Sequence, residues 1–215
     1  GRRSVAITTW ASFASMWLIP RMEEFQRDNP GIDIRIDASD VQVDLETSDV
    51  DLALRYAMPA GATQGGIRLF GEQLAVVASP WLLKSGTRLD RVEDVAQFTL
   101  IEAGDAHRTQ HMEWLTWRRW LDTHGMARAQ PKRWLSFNYA YQMTQAALSG
   151  QGIVLARPPL VAESLARGEL VVCGGAQWHV PLEIRLYRCA LVRKANVRLL
   201  WRKLEGAAAQ GTGTP

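Results

Sequence analysis

The fold is decided by the stretch Val5-Ala6-Ile7-Thr8-Thr9-Trp10-Ala11-Ser12-Phe13-Ala14-Ser15-Met16-Trp17-Leu18-Ile19-Pro20. A short run of β-forming residues meets small hydroxyl residues and passes directly into a helix, which is predicted over residues 13–27. A strand that feeds a helix in this way presents free backbone N–H groups at a fixed point, which is a suitable site for a small anion or carboxylate. Pro20, inside the predicted helix, predicts a kink or a lost hydrogen bond.

Beyond this stretch, the apolar periodicity keeps alternating between strand and helix. The predicted strands are 32–37, 50–56, 74–79, 98–102, 133–137, 153–156, 170–172 and one or two strands within 181–192. The predicted helices are 40–47, 91–95, 111–124, 139–149, 160–167 and 196–205. Strands that alternate with helices favour a parallel α/β sheet.

Two successive βα units predict an α/β fold of two Rossmann-like lobes joined by two crossing strands. The first lobe is expected over residues 1–75 and 183–206, and the second over residues 76–182. The Gly-, Ala- and Thr-rich tail, residues 207–215, is expected to be disordered. Ligands of such folds bind at the carboxyl ends of strands, in the cleft between lobes.

The composition is that of an ordinary globular protein, with 215 residues, 47% hydrophobic and 22% charged, and a formal net charge of +3. Lys and Arg are not clustered as in a nucleic-acid-binding face, and no apolar run approaches the ~20 residues of a membrane span. Cys173 and Cys189 favour two free thiols in a reducing compartment, although a pair is also possible. We expect a cytoplasmic protein without a signal peptide, or a piece cut from a longer chain, which the abrupt start on a strand favours.

Motifs of catalysis and cofactor binding do not occur in the sequence. Neither a Gly-x-Ser-x-Gly motif, a P-loop nor a Cys-x-x-Cys pair is present, and Gly150-Gln151-Gly152 lacks the third glycine of a dinucleotide-binding fingerprint. His107 and His111 lie four residues apart near Glu113, but no third ligand supports a metal site. We therefore expect neither an enzyme nor a bound metal or cofactor.

Two further features are interpreted as structural. Trp114, Trp117 and Trp120 fall on one face of a helix, which predicts core packing rather than a stacking platform. A basic group near the carboxyl end is interpreted as a solvated helix face and comprises Arg193, Lys194, Arg198, Arg202 and Lys203.

Several motifs, taken in order, carry a family resemblance from Val5 to about Glu205. They are Thr9–Ala14 with Trp17–Pro20; Phe25 through Pro30-Gly31-Ile32; Val50–Tyr56; Leu69-Phe70 with Leu74–Pro80; Ala146 through Gly150–Ile153; and Leu160-Val161 through Leu165–Val171. Their order and spacing resemble the effector-binding domain of LysR-type bacterial transcriptional regulators, which have a periplasmic-binding-protein type II-like fold. The segments 12–14 and 51–56 and that near Trp114 are most similar to the glycine-cleavage and β-lactamase regulators. Asp49 departs from the pattern, because many relatives have Gly there.

The resemblance implies a ligand-sensing domain that binds a small polar, anionic metabolite between its lobes. It also implies a homodimer, or a tetramer at full length, that pairs through the helices here predicted at 13–27 and 139–149. The family's helix-turn-helix normally precedes this point and is absent from this chain, so DNA contact is expected only through that missing domain. We expect no membrane partner.

The resemblance places the effector's anchoring contacts at the first helix start, where the predicted set is Thr9, Trp10 and Ser12. Judged from the residues alone, Thr9 and Ser12 are also good helix caps. Ser39 and Asp40 follow the second strand, where a helix cap and a ligand contact are equally consistent with the sequence.

Arg55 ends the next strand and is followed by Tyr56. An arginine at the carboxyl end of a strand is a good carboxylate clamp, because its planar fork donates two parallel hydrogen bonds. The alternative is that Arg55 pairs with Asp51 or with a surface acid. Both Arg55 and Tyr56 belong to the predicted site.

In the second lobe, the predicted site residues are Glu102, Phe137 and Asn138, which follow two predicted strands. Asp105 lies near Glu102, and an acid there would favour an effector that carries an amino group. Asn138 is equally consistent with a cap for the helix that begins near Tyr139.

Three rival classes share parts of this pattern. A transporter's solute-binding protein has the same architecture but carries an export signal. A two-lobed deaminase would need a covalent-cofactor thiol or a catalytic carboxylate. A ligand-independent oligomerisation module would have its cleft filled by Trp and Phe side chains.

Overall fold

The structure, a computed structural model, describes residues 3–41, 44, 46–57, 65–84, 86–104, 112–188 and 195–212. Its strands are β1 Arg3–Thr9, β2 Ile32–Ala38, β3 Leu52–Ala57, β4 Ile67–Ala78, β5 Thr99–Ala103, β6 Arg133–Phe137, β7 Ile153–Ala156 and β8 Val171–Arg188. Its α-helices are α1 Ala11–Phe13, α2 Ile19–Asp28, α3 Pro80–Leu83, α4 Trp117–Thr123, α5 Ala140–Leu148, α6 Ala162–Ala166 and α7 Ala195–Thr212. The predicted alternation of strands and helices is confirmed.

The chain forms two compact units, Gly1–Glu72 with Pro181–Pro215 and Gln73–Val180. The chain passes from one unit to the other inside β4 and inside β8, which are 12 and 18 residues long. These are the two connecting strands that the sequence predicts, although β8 starts earlier than expected and is continuous.

In the first unit, β1 lies between β2 and β3 and is parallel to both. The register pairs Thr9 with Ala38 at the end of β2 and Ile7 with Leu52 near the start of β3. β3 pairs with β8 in antiparallel fashion. The carboxyl ends of β1, β2 and β3 therefore meet at one edge of this sheet.

In the second unit, β5 lies between β6 and β7 and is parallel to both, and β7 pairs antiparallel with β4. Ala103 at the end of β5 is opposite Phe137 at the end of β6. The predicted site residues of this unit, Glu102, Phe137 and Asn138, therefore lie at the carboxyl ends of β5 and β6.

The helical stretch after β1 is interrupted by a π-helical turn over Ala14–Leu18. The backbone N–H of Ile19 donates to the carbonyl of Ala14, five residues earlier. Pro20 has no N–H and its ring crowds the preceding turn, so regular α-helical bonding is lost just before it. The predicted disturbance at Pro20 is confirmed.

Large aromatic side chains pack where this helix meets the sheet. The Phe13 ring stacks on Trp17 at 5.0 Å between centroids, and Phe70 of β4 lies 6.3 Å from Phe13. In the second unit, Trp117 and Trp120 are fully buried and meet edge to face at 5.3 Å. The expected core role of these two tryptophans is confirmed.

Two predicted segments differ from the structure. The described part of 40–47 forms turns rather than a helix, since the Asp44 side chain accepts from Glu46 N–H and its carbonyl accepts from Ser48 N–H. Helix α7 continues to Thr212, beyond its expected end at Glu205. The expected disordered tail from Ala207 is therefore wrong for 207–212, because the alanines at 207–209 favour helix and Ala208 is buried. Residues 213–215 lie outside the described ranges.

Candidate functional site

Two consecutive threonines end β1, and both are fully buried. The Thr8 hydroxyl donates to the carbonyl of Asp37 at 2.9 Å and accepts from Nη2 of Arg55 at 3.1 Å. The Thr9 hydroxyl has no hydrogen-bond partner within the described part of the chain. A buried polar atom without a partner is costly. The Thr9 hydroxyl is therefore a candidate for pairing with a ligand.

Trp10 follows Thr9 and repeats this condition. Its indole Nε1 is buried and has no partner among the described residues. The ring is held by aromatic neighbours, with centroids 4.3 Å from Tyr56 and 4.6 Å from Phe13. A donor-only N–H in a fixed ring is a specific feature, because the ring cannot turn to find another acceptor.

The start of helix α1 is capped from a neighbouring loop. The backbone N–H of Ala11 donates to Oδ1 of Asp40 at 3.3 Å. The N-cap residue is Trp10, and no side-chain hydrogen bond caps the helix from that position. Asp40 therefore does act as a helix cap, although it caps α1 rather than a helix that follows it in the sequence. The alternative that Thr9 caps the first helix is wrong. Ser12 is fully buried in the first turn.

Arg55 is buried and ties three segments together. Its guanidinium donates to the carbonyls of Ser39 at 3.2 Å and Val41 at 3.3 Å, besides the Thr8 hydroxyl. Burial lowers the pKa of Arg55, while the charges of Asp40 and Asp37 oppose that shift. Arg55 thus fixes the turn that carries Ser39 and Asp40.

Three polar residues near Arg55, namely Asp51, Ser39 and Tyr56, have hydrogen-bond partners within the fold. Asp51 accepts from the backbone N–H of Ala6 at 2.7 Å, so its carboxylate supports the strand pair. The Ser39 hydroxyl accepts from the N–H of Val41 at 3.2 Å. The Tyr56 hydroxyl donates to the carboxylate of Glu72, which is buried in β4. Sequence reasoning missed Glu72, whose only signal is an acid inside an apolar strand pattern.

In the second unit, Glu102 is engaged in helix capping. Its Oε1 accepts from the backbone N–H of Trp117 at 3.0 Å, and the Thr116 hydroxyl accepts from the N–H of Arg119 at 3.2 Å. Two side chains from different segments thus satisfy the first turn of α4. His107, His111 and Asp105 lie outside the described residues.

Phe137 and Asn138 follow β6, the former half-buried and the latter exposed. The side-chain oxygen of Gln142 accepts from the backbone N–H groups of Asn138 and Tyr139, at 3.2 and 3.1 Å. The cap of α5 is therefore Gln142, and of the two roles that the sequence left open for Asn138, a side-chain cap is not observed. Gln142 lies one turn inside the helix, a reciprocal arrangement that a single N-cap rule does not anticipate.

A small cavity in the second unit brings Glu102 together with a residue that sequence reasoning missed. Glu102, Trp117, Ala140 and Arg157 contribute to its wall. Arg157 directly follows the buried strand β7 and is itself buried. A charged residue at the carboxyl end of an apolar strand is the signal that singled out Arg55, and it was available here too.

Cys173 bears on the thiol chemistry of the enzyme alternative. Burial raises the pKa of its thiol to about 11, so the side chain remains protonated near neutral pH. A protonated thiol is a poor nucleophile, which argues against a covalent role for Cys173. Cys189 lies outside the described residues.

Within the described ranges, no helix is long and apolar enough to cross a membrane. Over the same residues, no three or more His, Cys, Asp or Glu side chains come together as a metal site.

Comparison with known proteins gives consistent relatives. The glycine cleavage system transcriptional activator of Escherichia coli (strain K12) is 33% identical over 168 residues, which are 78% of this chain and 52% of that protein. The transcriptional activator AmpR of Pseudomonas aeruginosa is 28% identical over 181 residues, which are 81% of this chain and 57% of that protein. The chain therefore spans about half the length of the curated relatives it matches, and these relatives are transcriptional regulators rather than enzymes.

Solved structures show the same fold. The effector domain of AmpR from Pseudomonas aeruginosa has a TM-score of 0.71 at 23% identity, covering 96% of each chain. The AmpR effector binding domain from Citrobacter freundii has a TM-score of 0.72 at 22% identity, covering 97% of this chain and 99% of that chain. The expected periplasmic-binding-protein type II-like α/β class is confirmed.

The sequence motifs, the two α/β units and these relatives agree with one family description. That description, "LysR substrate binding domain", matches residues 1–209. The chain belongs to the LysR substrate binding domain family.

Proposed function

We propose that this domain senses a small anionic metabolite that binds at the carboxyl end of β1. The observation that carries the proposal is the Thr9 hydroxyl, which is fully buried and has no partner within the described residues. Trp10 Nε1 repeats this condition at the next residue. Leaving two such groups unpaired costs stability, and a ligand that pairs with them would recover that loss.

The chemistry of these atoms favours an acceptor-rich ligand. Trp10 Nε1–H can only donate, and the Thr9 hydroxyl can donate as well as accept. A carboxylate offers two oxygen acceptors and is stabilised by positive charge nearby. The buried guanidinium of Arg55 supplies that charge while it holds the Ser39–Asp40 turn in place. A small carboxylate is therefore the ligand class that suits this end of the sheet.

The full proposed set retains every residue that the sequence singled out. It comprises Thr9, Trp10, Ser12, Ser39, Asp40, Arg55 and Tyr56 of the first unit and Glu102, Phe137 and Asn138 of the second. The first-unit contacts described above support Thr9 and Trp10 as direct ligand donors and Arg55 and Asp40 as the groups that shape the turn. A clamp role for Arg55 requires that ligand binding redirects part of its guanidinium.

The regulatory output is inferred from the family. Effector binding would favour one arrangement of the domain by differential affinity, and the bias would be passed to DNA-binding parts in a longer regulator. Such a regulator would act in the cytoplasm as a homodimer or tetramer. In this proposal the predicted helices at 13–27 and 139–149 provide the pairing surfaces.

The test is a thermal-stability screen of the 215-residue chain against amino acids, small carboxylates, peptides and cell-wall fragments. A ligand at about 100 times its Kd adds roughly 2.7 kcal/mol to the free energy of unfolding, which a melting shift reports readily. In Thr9→Val, which keeps the shape and removes the hydroxyl, we expect binding to weaken about tenfold.

Thr123→Val is the matched control, because it removes an exposed threonine hydroxyl from helix α4 in the second unit. It should leave ligand affinity unchanged. Equal affinity in Thr9→Val and the unmodified chain would remove Thr9 from the site. A complete absence of ligand-induced shifts across the panel would favour a ligand-independent oligomerisation module.

A further inference from the structure

A second cavity lies in the first unit, away from the residues that form the proposed effector site. Its volume is about 260 Å³, and the described residues that line it are Arg188, Val197, Arg198 and Trp201. Arg188 is the last residue of β8, and the other three belong to helix α7. None of the residues assigned above to effector binding contributes to this wall.

The spacing on helix α7 explains how this wall forms. Val197, Leu200 and Leu204 are buried and define the face that packs on the unit's core. Arg198 is exposed and Trp201 half-buried, three residues apart and therefore neighbours along the edge of that face. The helix thus presents a cation and an indole beside an apolar floor formed by Val197.

The charges around the cavity favour an anion. Within the described residues, Arg198 forms no ion pair, and Arg188 adds a second positive charge to the same wall. Trp201 makes no hydrogen bond in the described part of the chain, so its indole N–H can donate to a ligand. The interpretation of the basic group near the carboxyl end as a solvated face does not account for the cavity that one of its members, Arg198, lines.

We propose that this cavity is a second binding site, which takes a small organic anion with an aromatic body, of the arylacetate class. The guanidinium fork of Arg198 suits a carboxylate, because it can donate two parallel hydrogen bonds, and Arg188 adds positive charge to the same wall. Trp201 and Val197 provide apolar contact for the aromatic ring. The volume lies just below the range of about 300–1,000 Å³ for typical ligand pockets, so the ligand is small.

The experiment is isothermal titration calorimetry of the 215-residue chain with sodium phenylacetate, at constant ionic strength. Phenylacetamide, which has the same ring but no charge, is the first comparison, and sodium sulfate, which has charge but no ring, is the second. The variants are Arg198→Gln and, as the matched control, Arg202→Gln. Arg202 is an exposed arginine on the same helix that does not line the cavity.

We expect saturable one-to-one binding of phenylacetate that Arg198→Gln weakens about tenfold or more, the equivalent of one charge-assisted hydrogen bond. Arg202→Gln and Thr9→Val should retain the affinity within about twofold. Phenylacetamide and sulfate should each bind at least about tenfold more weakly.

Several results would overturn the proposal. Equal weakening in Arg198→Gln and Arg202→Gln would mean unspecific charge attraction, and equal affinity for sulfate would mean a simple anion site without an aromatic contact. Binding that Thr9→Val abolishes and Arg198→Gln does not would assign the phenylacetate to the effector site. Absence of saturable binding would leave the cavity without this function, while the effector proposal would still stand on its own screen.

Discussion

The carboxyl ends of β1 and β5 are alike in their elements but differ in how completely their polar groups are paired. After β5, the carboxylate of Glu102 accepts from the first helical N–H of α4 at 3.0 Å. After β1, Asp40 does the same for α1, yet the neighbouring Thr9 hydroxyl and Trp10 indole N–H have no partner among the residues that the structure describes. A strand end whose polar groups are paired gains less from a ligand than one that leaves buried donors without an acceptor.

The same contrast recurs within β1, between adjacent residues of one type. Thr8 and Thr9 are equally buried, but within the described ranges the hydroxyl of Thr8 has partners and that of Thr9 has none. Substitutions at these strand ends should therefore distinguish side chains that stabilise the fold, such as Thr8, from the Thr9 hydroxyl, which we propose contacts a ligand.

The largest effect is expected for Arg55→Met, which removes the donor that joins Thr8 to the carbonyls of Ser39 and Val41. Losing this buried charged donor should lower the free energy of unfolding by about 3 kcal/mol, measured by urea denaturation. Arg55→Lys retains the charge but lacks the planar fork, so it should recover only part of the loss. Unchanged stability in Arg55→Met would contradict this network.

Thr8→Val should come next, with a loss of about 2 kcal/mol in the same measurement. The substitution leaves the carbonyl of Asp37 and one guanidinium N–H of Arg55 without their partner. Thr8→Ser, which keeps a hydroxyl, is the control and should be destabilised less. If Thr8→Val were as stable as the unmodified chain, the contrast between the two threonines would disappear.

Glu102→Ala should lower the stability by about 1 kcal/mol, because it removes the acceptor for the Trp117 N–H while Thr116 still caps the same turn. Glu102→Gln retains an acceptor oxygen and should lie between the two. The measurement is again urea denaturation, with hydrogen exchange of the Trp117 amide as a local readout. Unaltered exchange at that amide in Glu102→Ala would show that the cap is not formed.

Thr9→Val comes last, because it removes a buried hydroxyl without a described partner and should raise the stability of the ligand-free protein by up to about 1 kcal/mol. The valine occupies the same volume, and no described hydrogen bond is lost. Ligand affinity should nevertheless fall, as proposed above. A destabilisation comparable to that of Thr8→Val would mean that the Thr9 hydroxyl already has a partner in the folded protein.

The fold could be predicted because it depends on local patterns. The strand β2 alternates strictly, β3 and β7 are short apolar runs, and glycines end several helices. Each of these elements can therefore be recognised from a few neighbouring residues. Where neighbouring sequence opposes the pattern, prediction was weaker. The described part of 40–47 forms turns instead of the predicted helix, because the Asp44 side chain accepts from the backbone N–H of Glu46. Helix α7 continues past Glu205, where alanines favour helix.

The candidate site was only partly predictable, because pairing depends on residues distant in sequence. The Asp40 cap on Ala11 spans 29 positions, and the bond between Arg55 and Thr8 spans 47. Two adjacent threonines look identical in a sequence, so nothing local distinguishes the paired from the unpaired hydroxyl. Arg157 was missed although it directly follows the apolar strand β7, much as Arg55 lies near the carboxyl end of β3.

The π-helical turn over Ala14–Leu18 lets one helix bury apolar residues whose spacing a regular helix could not align. Phe13, Trp17, Met22 and Phe25 are all buried, and Trp17 and Met22 are five positions apart. Five residues of an α-helix rotate the side chain to about 140° away from the first, which would aim Met22 toward solvent. The wide turn absorbs the additional residue, so this segment behaves as an α-helix that accommodates a single-residue insertion.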